Sequence, residues 1–289
     1  FKGTFHANGD NIWEGRVVIH TASAENNVLI RDREDINRAV DGDQVIIEIY
    51  PKSAWKAESE YLVPNNAEEK VEEKVEKSDD DASSHVLSGR VVAIAKRCWK
   101  TYCGSIEPIP EGNVQGYVLF DPVNRRIPKI RVKTGQYERL KDQRIVVSID
   151  DWPISSRYPL GHYLKTLGPI GDREVETEVI LLEHSIPSNV FSQEVLACLP
   201  PPDWRITETN SRGREDLRES VCVVSIDPPG CKDIDDALHA RDLSNGNIEV
   251  GIHIADVTYY MKHGSALDKE ACDRSTSTYL VDRRLDMLP

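Results

Sequence analysis

The chain has 289 residues, 39% hydrophobic and 29% charged, with a formal net charge of −13. That composition suits soluble globular packing in two or three domains. No apolar run approaches the ~18 residues of a membrane span, and no signal-peptide pattern opens the chain. The chain starts at Phe1 and is expected to be a piece of a longer protein. Six cysteines fall at irregular spacings (98, 103, 198, 222, 231 and 272), which points to reduced thiols inside the cell rather than a disulfide framework. Cys98-x4-Cys103 resembles half a zinc site, but no second Cys/His pair follows, so buried or surface thiols are the better expectation. The negative charge at first disfavours a nucleic-acid partner. Residues 58–81, however, hold ten Asp/Glu against three Lys, so about half of the excess sits in one segment. Total charge therefore leaves local basic surfaces open.

Residues 1–56 carry the pattern of a small β domain. Short β-rich runs at 1–5, 13–20, 28–30 and 44–50 are separated by turns such as Asn8-Gly9-Asp10 and Asp41-Gly42-Asp43. Val45, Ile47 and Ile49 alternate with Ile46, Glu48 and Tyr50, as in a half-buried strand. Residues 37–40 suggest a short helical or bridging piece. The whole suggests an OB or cold-shock barrel. Residues 57–86 break this pattern and are expected to be an acidic flexible linker or loop, with an acidic docking tail as the functional alternative.

Residues 87–172 repeat the barrel grammar, with strands expected near 89–95, 116–120, 127–132 and 144–149. In the third, Ile130 and Val132 alternate with Lys129, Arg131 and Lys133, and Arg125 and Arg126 precede it. Five basic residues in nine, with Lys96, Arg97 and Lys100 around Trp99, are what a barrel needs to track a phosphate backbone and stack bases. A solubilising strand face is the bland alternative.

Residues 173–289 change character towards an α+β domain. Residues 174–183 alternate and then run apolar. Ser192 is placed to cap a short helix over 192–199, ended by Pro200-Pro201-Pro202. Residues 212–219 form a charged segment, helical or loop. A strand is expected at 222–226, another over Ile248–Ile254 after the Asn245-Gly246 turn, and a helix over Ala266–Arg274. The expected class is mainly β and multidomain: two barrels, then the first part of an α+β domain.

The chemistry concentrates in Asp227-Pro-Pro-Gly-Cys-Lys-Asp233-Ile-Asp235-Asp236, behind the apolar run 221–226. Two carboxylates about 4 Å apart repel by about 1 kcal/mol in water and about 4 kcal/mol in a partly buried site. Such a cluster suits either a solvated turn or a multivalent cation. Its hard oxygen donors fit Mg²⁺ or Mn²⁺ better than Ca²⁺, and the EF-hand spacing is absent. Pro228-Pro229-Gly230 turns the loop so that Asp227 can return towards Asp233, Asp235 and Asp236. Four carboxylates on one turned loop are enough to hold two cations about 3.5–4 Å apart, the arrangement used for phosphodiester hydrolysis. The alternative is an acidic surface turn.

This loop resembles the signature of the ribonuclease II / ribonuclease R family, as do Gly251-Ile-His-Ile-Ala-Asp-Val257 and the stretch from Thr278-Tyr279-Leu280 through Asp286-Met-Leu-Pro289. Arg157-Tyr-Pro-Leu-Gly-His162 and the paired barrels look most like the eukaryotic branch that supplies the catalytic subunit of the RNA exosome. The resemblance implies processive 3′→5′ hydrolysis of single-stranded RNA to nucleoside 5′-monophosphates with Mg²⁺. It implies Asp227, Asp233, Asp235 and Asp236 as the metal ligands, with Asp235 needed for turnover and not for RNA binding. It also implies Tyr279 as an aromatic that clamps a terminal base, and a family motif holding His253 and Asp256 beside the site. A core tyrosine and a satisfied core histidine are the plainer readings of Tyr279 and His253. The implied partners are single-stranded RNA and exosome core subunits, with no membrane and no small-molecule cofactor, in nucleus, nucleolus and cytoplasm. The family's S1-type barrel, N-terminal endonuclease domain and later catalytic residues have no counterpart in these 289 residues, so this segment by itself is expected to be inactive or very weak. Two other readings are a non-enzymatic RNA-binding module with a vestigial acidic loop, and a DNA nuclease.

Overall fold

A computed structural model describes residues 1–20, 25–58, 85–109, 116–231 and 234–289. It divides into two compact units, Phe1–Ile186 and Pro187–Pro289.

The first unit contains both barrels. Strands β1 (Lys2–Ala7), β2 (Glu14–His20) and β3 (Glu25–Arg31) lead through a single helical turn, α1 (Arg33–Ile36), to β4 (Gln44–Ile49). Two short strands, β5 (Lys56–Ala57) and β6 (His85–Val86), pair with each other before β7 (Ser88–Lys96). The barrel closes in the order β1-β2-β3-β7-β4, with β3 and β7 parallel. Alternation explains its core: Val45 and Ile47 are buried beside Phe5, Val17, Val28, Ile30 and Val91, while Ile46 faces out. Gly15 is required where β2 crosses β1, because a Cβ there would stand 2.5 Å from the Phe5 ring.

This topology corrects the expected boundaries at 56 and 87. The segment taken as the first strand of the second barrel is the fifth strand of the first. The described ends of the segment expected to link two domains, β5 and β6, pair with each other between β4 and β7 of the same barrel. The reason is closure: without β7, both β3 and β4 would present unpaired backbone edges. Residues 59–84, and with them most of the acidic segment, lie outside the described residues.

The second barrel uses β8 (Thr101–Ile106), β9 (Tyr117–Pro122), β10 (Ile130–Lys133), a helical turn α2 (Tyr137–Leu140), β11 (Gln143–Asp151) and β12 (Leu160–Pro169), closed as β10-β12-β11-β8-β9. Phe120, Ile130, Val132, Ile145 and Val147 fill it. Val40, from the first barrel, packs into the same cluster. Buried Asp43 accepts backbone N–H groups of Val40 (3.0 Å) and Cys98 (2.8 Å) and the Arg97 guanidinium (2.8 Å), while Arg38 donates to the Trp152 carbonyl at 3.2 Å. The barrels are thus joined through core and hydrogen bonds.

Helix α3 (Arg173–Glu183) moves the next boundary. Its N-cap Asp172 accepts the Glu174 and Val175 N–H groups. Val179 packs with Cys103 and Val146 of the second barrel; Arg144 pairs with Glu176 at 2.9 Å, and the Cys103 N–H donates to Glu183 at 2.8 Å. The segment therefore belongs to the barrel rather than to the α+β region. Its two-residue alternation is overridden by Val175, Val179 and Leu182, which recur at helical spacing.

The second unit holds α4 (Gln193–Leu196), capped by Ser192 as expected but one turn long. Antiparallel strands β13 (Asp236–Asp242) and β14 (Ile248–Ile254) follow, then α5 (Ala266–Arg274) and the short pair β15 (Thr278–Tyr279) and β16 (Arg284–Leu285). Residues 212–219 form turns. The strand expected at 222–226 reduces to a single bridge between Val224 and Leu238. Val223, Val224 and Ile226 are exposed, because a strand persists only where a neighbour takes up its N–H and C=O groups in series. Ile248, Val250, Ile252 and Ile254 line one face of β14 and are 65–69% exposed.

Candidate functional site

The acidic loop connects the Val224–Leu238 bridge to the head of β13. Val224 and Leu238 exchange both backbone hydrogen bonds, at 2.9 and 2.8 Å. Asp227 follows Val224 by three residues, and Asp235 precedes Leu238 by three. Gly230 at φ 85° and the Cys231 N–H to Pro228 carbonyl bond (3.1 Å) turn the chain between them. On the other side, the Ala255 N–H donates to the Asp235 carbonyl at 2.9 Å, and Asp236 pairs with Ile254. The backbone carrying Asp235 and Asp236 is therefore held from β14, while Asp227 is held only through the bridge.

Asp227, Asp235 and Asp236 are exposed. Asp233 lies outside the described residues. Among the described residues, no three His, Cys, Asp or Glu side chains gather closely enough to hold a metal ion. As a donor set the three suit a hard cation: all are carboxylates, all are open to solvent, and among the described residues no cationic side chain neutralises them.

The face of the β13–β14 pair bearing His239, Arg241, Glu249, Gly251 and His253 carries a polar chain. His239 Nδ1 and His253 Nε2 lie 2.7 Å apart, and His239 Nε2 lies 3.3 Å from Glu249 Oε1. Arg241 pairs with the same Glu249 oxygen at 2.6 Å. Arg241 first, and His239 second, hold the Glu249 carboxyl below the usual carboxylate range. His253 is thus a half-buried, hydrogen-bonded residue of a sheet face. It also lines a cavity of about 590 Å³ with Ile206, Arg214, Leu217 and Val223. Asp256 caps a 3₁₀ turn, Val257–Tyr259, and pairs with Arg214; that guanidinium, then the Thr258 hydroxyl, hold its carboxyl below the ordinary range. Arg214 also stacks over Tyr259, which meets Trp204 and Tyr260 edge-on at 6.3 and 5.0 Å. Sequence reasoning missed Arg214, Trp204 and this aromatic group. Tyr259-Tyr260 beside Asp256 was the one signal available, and its partners are distant in sequence. Tyr279, on β15, is 73% exposed in this segment.

The cationic face of the second barrel is smaller than the alternation suggested. Lys129 is buried and paired with Glu107, so it is not a surface cation. Ile127 through Ile130 are all buried because this stretch enters the barrel before β10 begins, outside the two-residue alternation. Arg131 lies over the Tyr117 ring at 4.7 Å, and Arg125, Arg126 and Lys133 are exposed. Arg97 is committed to Asp43 and to the Trp99 ring, 4.6 Å away.

Comparison with known proteins adds family context. A model of the Rrp44-like cold shock domain matches residues 1–100, a Dis3-like cold-shock domain 2 model matches 117–185, and an RNB domain model matches 214–289. The first range includes β7 and the second includes α3, while β8 falls between them. The human protein named exosome complex exonuclease RRP44 is 45% identical over the whole chain, which spans 31% of that protein. The fold of apo RNase R from Mycoplasma genitalium superposes with a TM-score of 0.71 at 19% identity, over 100% of this chain and 40% of that one. Yeast Ssd1, described as a pseudonuclease, superposes with a TM-score of 0.70 at 22% identity, over 100% and 38%.

Proposed function

We propose, for a chain that belongs to the RNB family and carries Rrp44-like and Dis3-like cold-shock domains, that its parent protein is a processive 3′→5′ exoribonuclease. It hydrolyses single-stranded RNA to nucleoside 5′-monophosphates as the catalytic subunit of an exosome, in nucleus and cytoplasm. The observation that carries this reading is the intact Asp-x5-Asp-x-Asp-Asp loop at the head of β13, downstream of two barrels that expose arginine, lysine and tyrosine. The name of the human relative supports the exosome assignment.

Asp227, Asp233, Asp235 and Asp236 would hold Mg²⁺, which when bound supplies Lewis-acid activation of water and neutralises charge on the leaving oxygen. The chain's own part is to bind and orient. Arg125, Arg126 and Lys133 neutralise phosphates; Arg131 and Tyr117 together offer a stacking surface; exposed Tyr279 stacks on a base of the strand. The acidic loop itself repels phosphate, so RNA approaches it only when its charge is neutralised.

A second reading, a non-enzymatic RNA-binding module, draws support from the fold shared with Ssd1. One experiment decides between them: the parent protein is given single-stranded, duplex and 2′-deoxy substrates across a magnesium titration, beside D235N. The proposal expects nucleoside 5′-monophosphates from single-stranded RNA only, a magnesium requirement, and RNA binding without turnover in D235N. RNA bound but uncut by the wild-type protein establishes the second reading, and cleavage of the 2′-deoxy strand establishes a DNA nuclease.

A further inference from the structure

His239 is buried yet lies among polar groups, and its surroundings are built to hold it flat. Gly251 is its register partner on β14. A Cβ at residue 251 would stand 2.0 Å from His239 Cε1 and 2.3 Å from Nδ1, so only glycine lets the imidazole cross the strand. Lying across Gly251, the ring reaches the residues two positions to either side on the same face, His253 through Nδ1 and Glu249 through Nε2. The two rings sit 4.9 Å apart at a 36° tilt. In the 2.7 Å contact one ring supplies the proton and the other the lone pair. A one-residue slip of β13 on β14 would turn His239 to the opposite face and break both bonds. The same ladder carries the Asp236–Ile254 pair three positions further on, and the Ala255 N–H to Asp235 carbonyl bond follows it.

We propose that the Glu249–His239–His253 chain, laid over Gly251, is a positioning device: it fixes the register of β13 on β14 and so sets Asp235 and Asp236 in place for a divalent cation. The histidines are positioning residues that touch neither the cation nor RNA. This inference rests on the metal-site reading of the acidic loop and names what holds half of it still.

The test uses the full-length parent protein, with Mn²⁺ binding followed by electron paramagnetic resonance. RNA affinity is measured separately in chelator, and folding by thermal melting. Losing a partner hydrogen-bonded to a ligand commonly costs 10–100-fold in metal affinity, and displacing the backbone that carries two ligands is expected to cost about as much, so G251A and H253A should weaken Mn²⁺ binding by about that factor, with RNA affinity in chelator within about twofold of wild type. In H253Q the side-chain amide reaches the position of Nε2, and this variant is expected to recover most of the loss. A general folding defect would lower RNA affinity in parallel and would not be rescued by glutamine. The proposal is overturned if G251A and H253A bind Mn²⁺ like wild type, or if H253Q is as weak as H253A. Should G251A fail to fold, the H253A and H253Q pair decides alone. D227N separates the premises: its loss of Mn²⁺ binding upholds the metal reading whatever the histidine variants do, and normal binding by D227N overturns both.

Discussion

Among the five basic residues of the second barrel that the sequence treats alike, the fold separates four sharply. Lys129 is buried against Glu107, whereas Arg125, Arg126 and Lys133 are exposed. If the exposed three contact phosphates, each contributes about 0.7 to the slope of log affinity against log salt for a single strand, about 2 in total. The triple variant R125Q/R126Q/K133Q should then lose that much slope. Between about 50 and 200 mM salt, wild-type affinity should fall about 20-fold further than that of the triple variant. K129Q should leave the slope unchanged. Its cost falls on stability instead: breaking a buried ion pair costs about 3–5 kcal/mol, and Glu107 keeps partial access to water, so a loss of about 2 kcal/mol is expected. Fluorescence anisotropy of a labelled single-stranded RNA, in chelator to prevent cleavage, measures the slopes; urea unfolding measures the second quantity. A slope reduction in K129Q equal to that of a single exposed variant such as K133Q would refute the division into structural and RNA-facing cations.

Two further outcomes follow from the barrels. Removing the Asp43 carboxylate leaves the N–H groups of Val40 and Cys98 and the Arg97 guanidinium without their acceptor, so D43A should destabilise the paired barrels by about 3–5 kcal/mol in urea unfolding. A loss below about 1 kcal/mol would mean that water replaces those bonds freely. Cys103 is buried beside Glu183, and burial, then that carboxylate, push its thiol up to about 12. Raised above its unfolded value of about 8.5, this thiol contributes stability that is present below pH ~8.5 and lost as pH rises from there towards 12. At pH 8, alkylation followed by mass spectrometry should mark exposed Cys222, Cys231 and Cys272 and spare Cys103 until denaturant is added. Early labelling of Cys103 would contradict the packing of α3 on β8 and β11.

The strands β1, β2 and β4 are legible from their alternation, and the Ser192 cap from its hydroxyl, because each depends on neighbours close in sequence. The acidic loop is legible for a similar reason: its donors lie within ten residues. The membership of β7 was hidden, since a strand's propensity does not say which barrel it closes. From sequence the α3 segment reads as no definite element, because Glu-x-Glu alternation on a solvated helix face masks the helical spacing of Val175, Val179 and Leu182. Glu249-x-Gly251-x-His253 shows a glycine between two polar residues, but the buried histidine that needs the glycine arrives from another strand.

The sequence by itself determined the chemistry on offer: four aspartates on one turned loop, cations and aromatics on barrel strands, and the family these motifs belong to. Tertiary structure decided which of those groups are available. It buried Lys129, committed Arg97 to Asp43, exposed Tyr279, and laid His239 across Gly251. The physical reason is that residue type fixes charge and donor capacity along the chain, whereas solvent access and partners are set by which strands close upon each other across long separations.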